Sequence, residues 1–220
     1  MKMKRRIVII DYEVGNHQSV INALEALHYD FLVSCKAADI LAADAFILPG
    51  VGAFHEAMRN LKSRGLISLL GHEVLEKRKP ILGICVGMQV LAGSSTEDGF
   101  HQGLGWIPGK VVKLQETRSR KVPHVGWSDL EIVKPGPLFR GMRERANFYF
   151  DHSYNFECGR EFVAANCRDD SMITAAVQKD HIFGLQFHPE KSQIAGLKVL
   201  RNYLQFARDY NARRAVPADV

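Results

Sequence analysis

The chain contains no apolar run close to the ~20 residues that a bilayer-spanning helix needs, which excludes a membrane-embedded class. Cysteine is scarce. Cys35, Cys85, Cys158 and Cys167 form no C-x-x-C pair and no dense framework, so a disulfide-stapled secreted fold is excluded and a reduced, cytoplasmic setting is expected. No His/Cys/Asp cluster has metal-ligand spacing, and no metal or cofactor is expected. Neither sign of charge dominates. The 29 basic residues are scattered among 24 acidic ones, for a net charge of +5 and a pI near 9.0. The nearest approach to a basic cluster is Arg118-Ser119-Arg120-Lys121, without interleaved aromatics, so nucleic acid is not the expected partner. Internal repeats, low-complexity tracts and a dividing linker are also missing. One domain over residues 1–210 is the economical reading, with 211–220 as a frayed tail lacking apolar pattern. The basic N-terminus runs straight into Ile7–Ile10 and Asp11, which reads as a first strand and not as a signal peptide.

What is present centres on Pro80-Ile81-Leu82-Gly83-Ile84-Cys85-Val86-Gly87-Met88-Gln89. A short apolar strand turns sharply into a helix, with Cys85 at the turn and a glycine two residues to either side. This is the G-x-nucleophile-x-G elbow with a thiol in place of a hydroxyl. The turn leaves room for little more than hydrogen at the flanking positions. It lifts the sulfur clear of the sheet and aims the N–H groups of the next helix at it, favouring a thiolate and a nearby oxyanion. Taken alone the elbow is weak, because most cysteines in apolar runs only fill space.

Around it, strands alternate with helices. Strands are expected at Arg6–Asp11, Phe31–Ser34 and Asp44–Leu48, and helices at Ser19–Leu27, Ala53–Leu61 and Leu66–Lys77. That order implies βαβ units and a parallel sheet. The second half changes character. Short strands at 110–114, 122–127, 147–150, 162–165, 173–178 and 182–187 read as a mostly antiparallel extension of the same sheet, followed by a helix over 193–210. The fold class is therefore α/β, three layers around a mixed, mainly parallel central sheet.

Far downstream, Gln186-Phe187-His188-Pro189-Glu190-Lys191-Ser192 ends a strand on a rigid turn. A thiol needs a base to become a better nucleophile, and imidazole titrates in the right range. The imidazole needs a third group to fix its tautomer. His188 and Glu190, held apart by Pro189, supply both roles and complete a candidate triad with Cys85.

With these residues in place the chain resembles the triad-type, class I glutamine amidotransferases, flavodoxin-like in fold. Within them it is similar to the branch whose glutaminase subunit feeds a cyclase/synthase in histidine biosynthesis. The matching blocks are Leu48-Pro49-Gly50-Val51-Gly52-Ala53-Phe54, the elbow, Pro123-His124-Val125-Gly126-Trp127, Tyr149-Phe150-Asp151-His152-Ser153-Tyr154, and Gln186 to Ser192. The resemblance implies L-glutamine as substrate, Cys85 as the nucleophile, His188 as the proton shuttle and Glu190 as its orienter. It implies an oxyanion site from the amides of Val86 and Val51, with Gly50 and Gly52 making a turn of that peptide sterically cheap. The peptide is expected to point away until a partner docks. Gln89 and Glu97, the latter twelve residues after the nucleophile, match positions that hold the amino-acid end of glutamine, and the backbone at Ser153 and Tyr154 its carboxylate. Asn16, Trp127, Tyr149 and Lys191 match positions at the interface with the synthase, into which ammonia is channelled. His152, His124 and His55 read as structural.

Three residues depart from the family pattern near that face. Glu13 replaces a glycine, His17 stands where an aliphatic residue is common, and Asp151 replaces an apolar residue. They leave the triad untouched but open an alternative partner, a synthase that amidates a sugar in surface-polysaccharide pathways. A stand-alone thiol hydrolase and a scaffold with a dead site are the remaining alternatives. The Gln89 and Glu97 matches oppose the first, and the intact triad opposes the second.

Overall fold

A computed structural model describes residues 6–15, 17–117, 121–142, 146–167 and 173–215. The chain runs β1 (Ile7–Ile10), α1 (His17–Ala26), β2 (Phe31–Ser34), α2 (Ala37–Leu41), β3 (Ala45–Gly50), α3 (Phe54–Ser63), α4 (Leu66–Gly71), β4 (Ile81–Cys85) and α5 (Val86–Gln89). It continues through β5 (Ser94–Ser95), β6 (His101–Gln102), β7 (Gly109–Lys113), β8 (His124–Ile132), β9 (Asn147–His152), β10 (Tyr154–Cys158), β11 (Val163–Cys167), β12 (Ile173–Lys179) and β13 (Ile182–Leu185), and ends in α6 (Gln193–Ala215).

Nine strands form the main sheet in the order β2-β1-β3-β4-β13-β12-β11-β8-β9. From β2 to β13 every pairing is parallel. From β13 to β9 every pairing is antiparallel. The mixed sheet matches the sequence expectation, and β13 is the seam between its two halves. In β1, β3, β4 and β13 every residue is buried. Successive side chains point to opposite faces, so both faces of this half are covered, as parallel sheets require. Leu24 and Val20 of α1, Leu61 of α3 and Leu200 and Leu204 of α6 join the same apolar core. Tyr203 of α6 donates its hydroxyl to the Phe46 carbonyl at 2.6 Å, which fastens the last helix onto β3.

Three expectations are corrected. The strand expected at 110–114 does not extend the main sheet. As β7 it pairs with β10 and β5, and β6 completes a separate four-stranded sheet beside β5. The helix expected to run from Leu66 to Lys77 breaks into a π-turn over His72–Glu76. There the Glu73 carbonyl accepts from the Lys79 amide at 3.0 Å and the Val74 carbonyl from His181 Nε2 at 2.7 Å. These carbonyls serve partners outside the helix, and the buried Glu73 carboxylate pairs with Lys79. Finally, helix α6 continues past residue 210 to Ala215. Asn211 bonds the Asp44 carbonyl at 2.8 Å and Arg214 the Lys77 carbonyl at 2.7 Å, so these contacts hold residues that lack an apolar pattern.

Candidate active site

Strand β4 delivers Cys85 to the carboxyl end of the parallel half, where the chain turns into α5. Its backbone has φ 54° and ψ −114°, a region that costs a non-glycine residue about 1–3 kcal/mol. The flanking glycines make the turn possible by their lack of a side chain. A Cβ on Gly83 would stand 2.4 Å from the Gly87 carbonyl oxygen, and one on Gly87 only 1.8 Å from the Leu48 carbonyl oxygen. The elbow is thus locked between its own helix and β3.

His188 lies just past the end of β13, the strand beside β4, so the sheet itself carries the two side chains together. The His188 ring donates from Nδ1 to Glu190 Oε1 at 2.7 Å, and the Cys85 sulfur lies near enough to raise the ring's pKa. With Nδ1 committed to the carboxylate, Nε2 is the nitrogen left for sulfur. Burial, the largest influence on His188, disfavours its charged form. Cys85 and the hydrogen-bonded Glu190, with the negative charge of both, outweigh it and push the pKa up to about 10. These partners favour the charged form of the ring, which is braced by a carboxylate on one side and faces sulfur on the other.

The residues around this pair form a cavity of about 330 Å3 lined by Val51, Gly52, Cys85, Val86, Gln89, Glu97, Pro123, Asp151, His152, Ser153, Tyr154 and His188. Gly50 is in register with Cys85 across the β3–β4 pairing. Glu97 Oε2 accepts the Phe54 amide at 2.7 Å, which fixes its carboxylate against the start of α3. Gln89 Nε2 donates to Gln186 Oε1 at 3.0 Å, and Gln186 Nε2 reaches the Cys85 sulfur at 3.8 Å. Gln186, fully buried, is a site residue that the sequence expectations do not include, although it lies in the same block as His188. Its signal is a polar side chain on an otherwise apolar strand end. His152 also lines the cavity in a supporting position. Its Nδ1 donates to the Tyr154 carbonyl at 2.7 Å and its Nε2 faces His124 Nδ1 at 3.1 Å.

The interface candidates adjoin this cavity. The rings of Trp127 and Tyr149 meet edge to face at 6.0 Å, and Lys191 Nζ lies 5.5 Å from the Tyr149 ring centre. The Tyr149 carbonyl accepts the His188 amide at 2.9 Å, so the cluster is one backbone hydrogen bond away from His188. Asn16 lies outside the described residues. Among the departures, Glu13 has φ 61° and pairs with Arg64, His17 Nδ1 stands 4.0 Å from Asp11, and the exposed Asp151 places its carbonyl 3.9 Å from the Cys85 sulfur. No group of three or more metal-ligating side chains occurs among the described residues.

The family model described as "Glutamine amidotransferase class-I" matches residues 8–205, and the chain belongs to that family. At finer grain it is 47% identical over 199 residues to the imidazole glycerol phosphate synthase subunit HisH 1 of Campylobacter jejuni (strain RM1221), covering 90% of this chain and 99% of that protein. It is 45% identical to the subunit HisH 2 of Vibrio vulnificus (strain YJ016), covering 92% and 95%. Among solved structures, one titled as a glutamine amidotransferase superposes with a TM-score of 0.73 at 21% identity, over 91% of this chain and 98% of that one. PurLQS from Thermotoga maritima superposes with 0.70 at 19% identity, over 93% and 99%. These two support the fold alone.

Proposed function

We propose that the chain is the glutaminase subunit of an imidazole glycerol phosphate synthase, hydrolysing L-glutamine and passing ammonia to a cyclase partner that makes imidazole glycerol phosphate and AICAR. The observation that carries this is the convergence of Cys85, His188 and Glu190 at one cavity whose other walls are Gln89, Glu97 and Tyr154, in a chain 47% identical to such a subunit.

The residues divide the work. Glu97 meets the substrate ammonium, Gln89 lies beside it, and the Ser153–Tyr154 backbone receives the carboxylate. The Cys85 thiolate attacks the carboxamide carbon, and the C=O electron pair moves to oxygen, held by the amides of Val86 and Val51. Collapse of that intermediate breaks the C–N bond as His188 gives its proton to the departing nitrogen. A thioester on Cys85 and ammonia result. His188, now neutral, takes a proton from water, whose oxygen attacks the thioester. Glutamate leaves and the thiolate returns. Glu190 holds the ring through both proton transfers. Trp127, Tyr149 and Lys191 form the face on which the synthase docks, so that ammonia enters it before acquiring a proton in bulk water. The reading implies glutaminase activity that is low alone and rises with the partner and its ligand. It also places the protein in the cytoplasm. No described helix is long and apolar enough to cross a membrane.

A second reading, ammonia supply to a sugar-amidating synthase, is favoured by one observation. Asp151, one of the three departures from the family pattern, lines the cavity and puts an ionisable group there. Rescue of a histidine auxotroph lacking its own glutaminase subunit separates the two. Growth supports the first reading. No growth from a chain that releases ammonia from glutamine with its co-purifying synthase supports the second, and no ammonia release at all removes both.

A further inference from the structure

Tyr12 is fully buried and takes no part in the proposed chemistry, yet its hydroxyl has no hydrogen-bond partner among the described residues. Leaving such a group unpaired is costly and calls for a reason. Its position supplies one. A methyl group on Gly50 would stand 2.5 Å from the Tyr12 oxygen and 2.9 Å from the Gly87 nitrogen, so the phenol lies against the peptide that leads into Val51, close to the first turn of α5. The opposite flank of that peptide is held by the same loop. A Cβ on Gly15 would lie 3.4 Å from the Gly50 Cα and 3.6 Å from the Val51 nitrogen. Residues Tyr12 to Gly15 therefore wrap the Gly50–Val51 peptide, with a hydroxyl on the core side and bare backbone on the other. Asn60 anchors the loop, donating from Nδ2 to the Tyr12 carbonyl at 3.1 Å. Gly52, at φ 97°, supplies slack on the far side.

We propose that Tyr12 is a positioning residue for the oxyanion site: when the Gly50–Val51 peptide turns to aim the Val51 N–H at the reacting oxygen, the Gly50 carbonyl swings towards Tyr12, whose O–H donates to it. The inference rests on the glutaminase reading and on the turning peptide within it. It assigns the unpaired hydroxyl a partner that exists only in the active state. The thiolate is not that partner, because the hydroxyl lies outside hydrogen-bond reach of Cys85. Nearby negative charge on Cys85, after burial, holds the phenol protonated and hence able to donate. The device also ties the site to the docking face, since the wrapping loop ends at Gly15, next to an expected partner contact.

The test is Tyr12→Phe, which keeps the ring and removes the oxygen. Glutaminase is measured for the chain alone and in complex with the synthase subunit that co-purifies with it. The expected result is about a tenfold loss of kcat in the complex, the worth of one hydrogen bond, with KM for glutamine unchanged. The resting rate and the melting temperature of the isolated chain stay level or rise slightly, because a buried unpaired oxygen has gone. An unchanged rate in the complex overturns the proposal. So does an equal loss in both states, which would mean the hydroxyl serves a fixed site. A lower melting temperature overturns it as well, because the oxygen would then have a partner at rest. If the wild-type chain releases no ammonia from glutamine even with that synthase, the glutaminase reading itself is wrong, an outcome separate from failure of the variant alone.

Discussion

The two halves of the main sheet are built for different work. On the parallel side, β3 and β4 are buried at every residue and clamp the elbow so tightly that a single methyl group has no place at Gly83 or Gly87. On the antiparallel side, the first four residues of β8 alternate between half-buried and exposed positions, leaving Val125 54% and Trp127 47% exposed. One half holds a strained nucleophile still. The other half offers an aromatic edge to something outside. The triad straddles the seam, with Cys85 at the end of β4 and His188 at the end of β13, the strand that is parallel to β4 and antiparallel to β12. Rigidity is needed where bonds are broken, and exposed apolar surface where a partner must be recognised.

The largest effect that would separate the halves is expected at the nucleophile. Cys85→Ala should lower glutaminase turnover by at least about 10^4-fold, measured as ammonia released by the synthase complex. Synthesis from added ammonium should be unaffected, because the substitution leaves the antiparallel half, the proposed docking side, intact. Loss of both activities would mean that the two halves are not separable. Next comes the clamp. Gly87→Ala drives a methyl group to 1.8 Å from the Leu48 carbonyl oxygen, backbone against backbone. It should destabilise the chain by about 3 kcal/mol or more, read as a fall in melting temperature, whereas Gly126→Ala on the antiparallel side meets no atom within 4 Å. The latter position has φ 140°, so only the conformational cost of placing a side chain there, about 1–3 kcal/mol, is expected.

The contrast between halves also explains what the sequence makes legible. A fully buried parallel strand reads as an unbroken apolar run, so β1, β3 and β4 stand out, and the glycines of the elbow announce a backbone with no room to spare. His188-Pro189-Glu190 is visible because proline holds its neighbours in a rigid turn. The separate sheet of β7, β10, β5 and β6 was not visible. Pairing partners are not encoded in a strand's own alternation, and two-residue strands such as Ser94–Ser95 have no period at all. The π-turn at His72–Glu76 was hidden for a similar reason, since its cause lies in Lys79 and His181. Gln186 and Tyr12 were missed because their significance is spatial: one bridges Gln89 to the Cys85 sulfur, and the other lies under Gly50.

The seam can be probed by pH. His188 has its pKa pushed up to about 10 in the folded chain, against about 6.5 when unfolded. A raised histidine pKa contributes stability that is fully present below the unfolded value and is lost as pH rises through the folded one. The stability should therefore be fullest below about pH 6.5 and decline steadily towards pH 10, whereas the proton on the ring is lost only near pH 10. Glu190→Gln removes one support of the charged ring and leaves the burial that opposes it. Turnover should fall about 10^2-fold, and the alkaline limb of the rate profile should move to lower pH. An unmoved limb would mean that Glu190 does not hold the imidazolium.

The smallest expected effect sharpens the comparison from the docking side. Trp127 packs edge to face on Tyr149, whose carbonyl holds the His188 amide, yet about half of its surface faces outward. A residue so exposed contributes little to the core, so Trp127→Ala should shift the melting temperature only slightly. At an interface a large aromatic anchor is worth about 2 kcal/mol or more, so affinity for the synthase subunit should weaken about 30-fold by calorimetry or sedimentation. The kcat of the saturated complex should change less than the affinity, because the triad is braced from β4, β13 and Glu190 and not from the indole. A large drop in melting temperature with unchanged affinity would instead make Trp127 part of the protein's own support, and would move the docking face elsewhere on the antiparallel half.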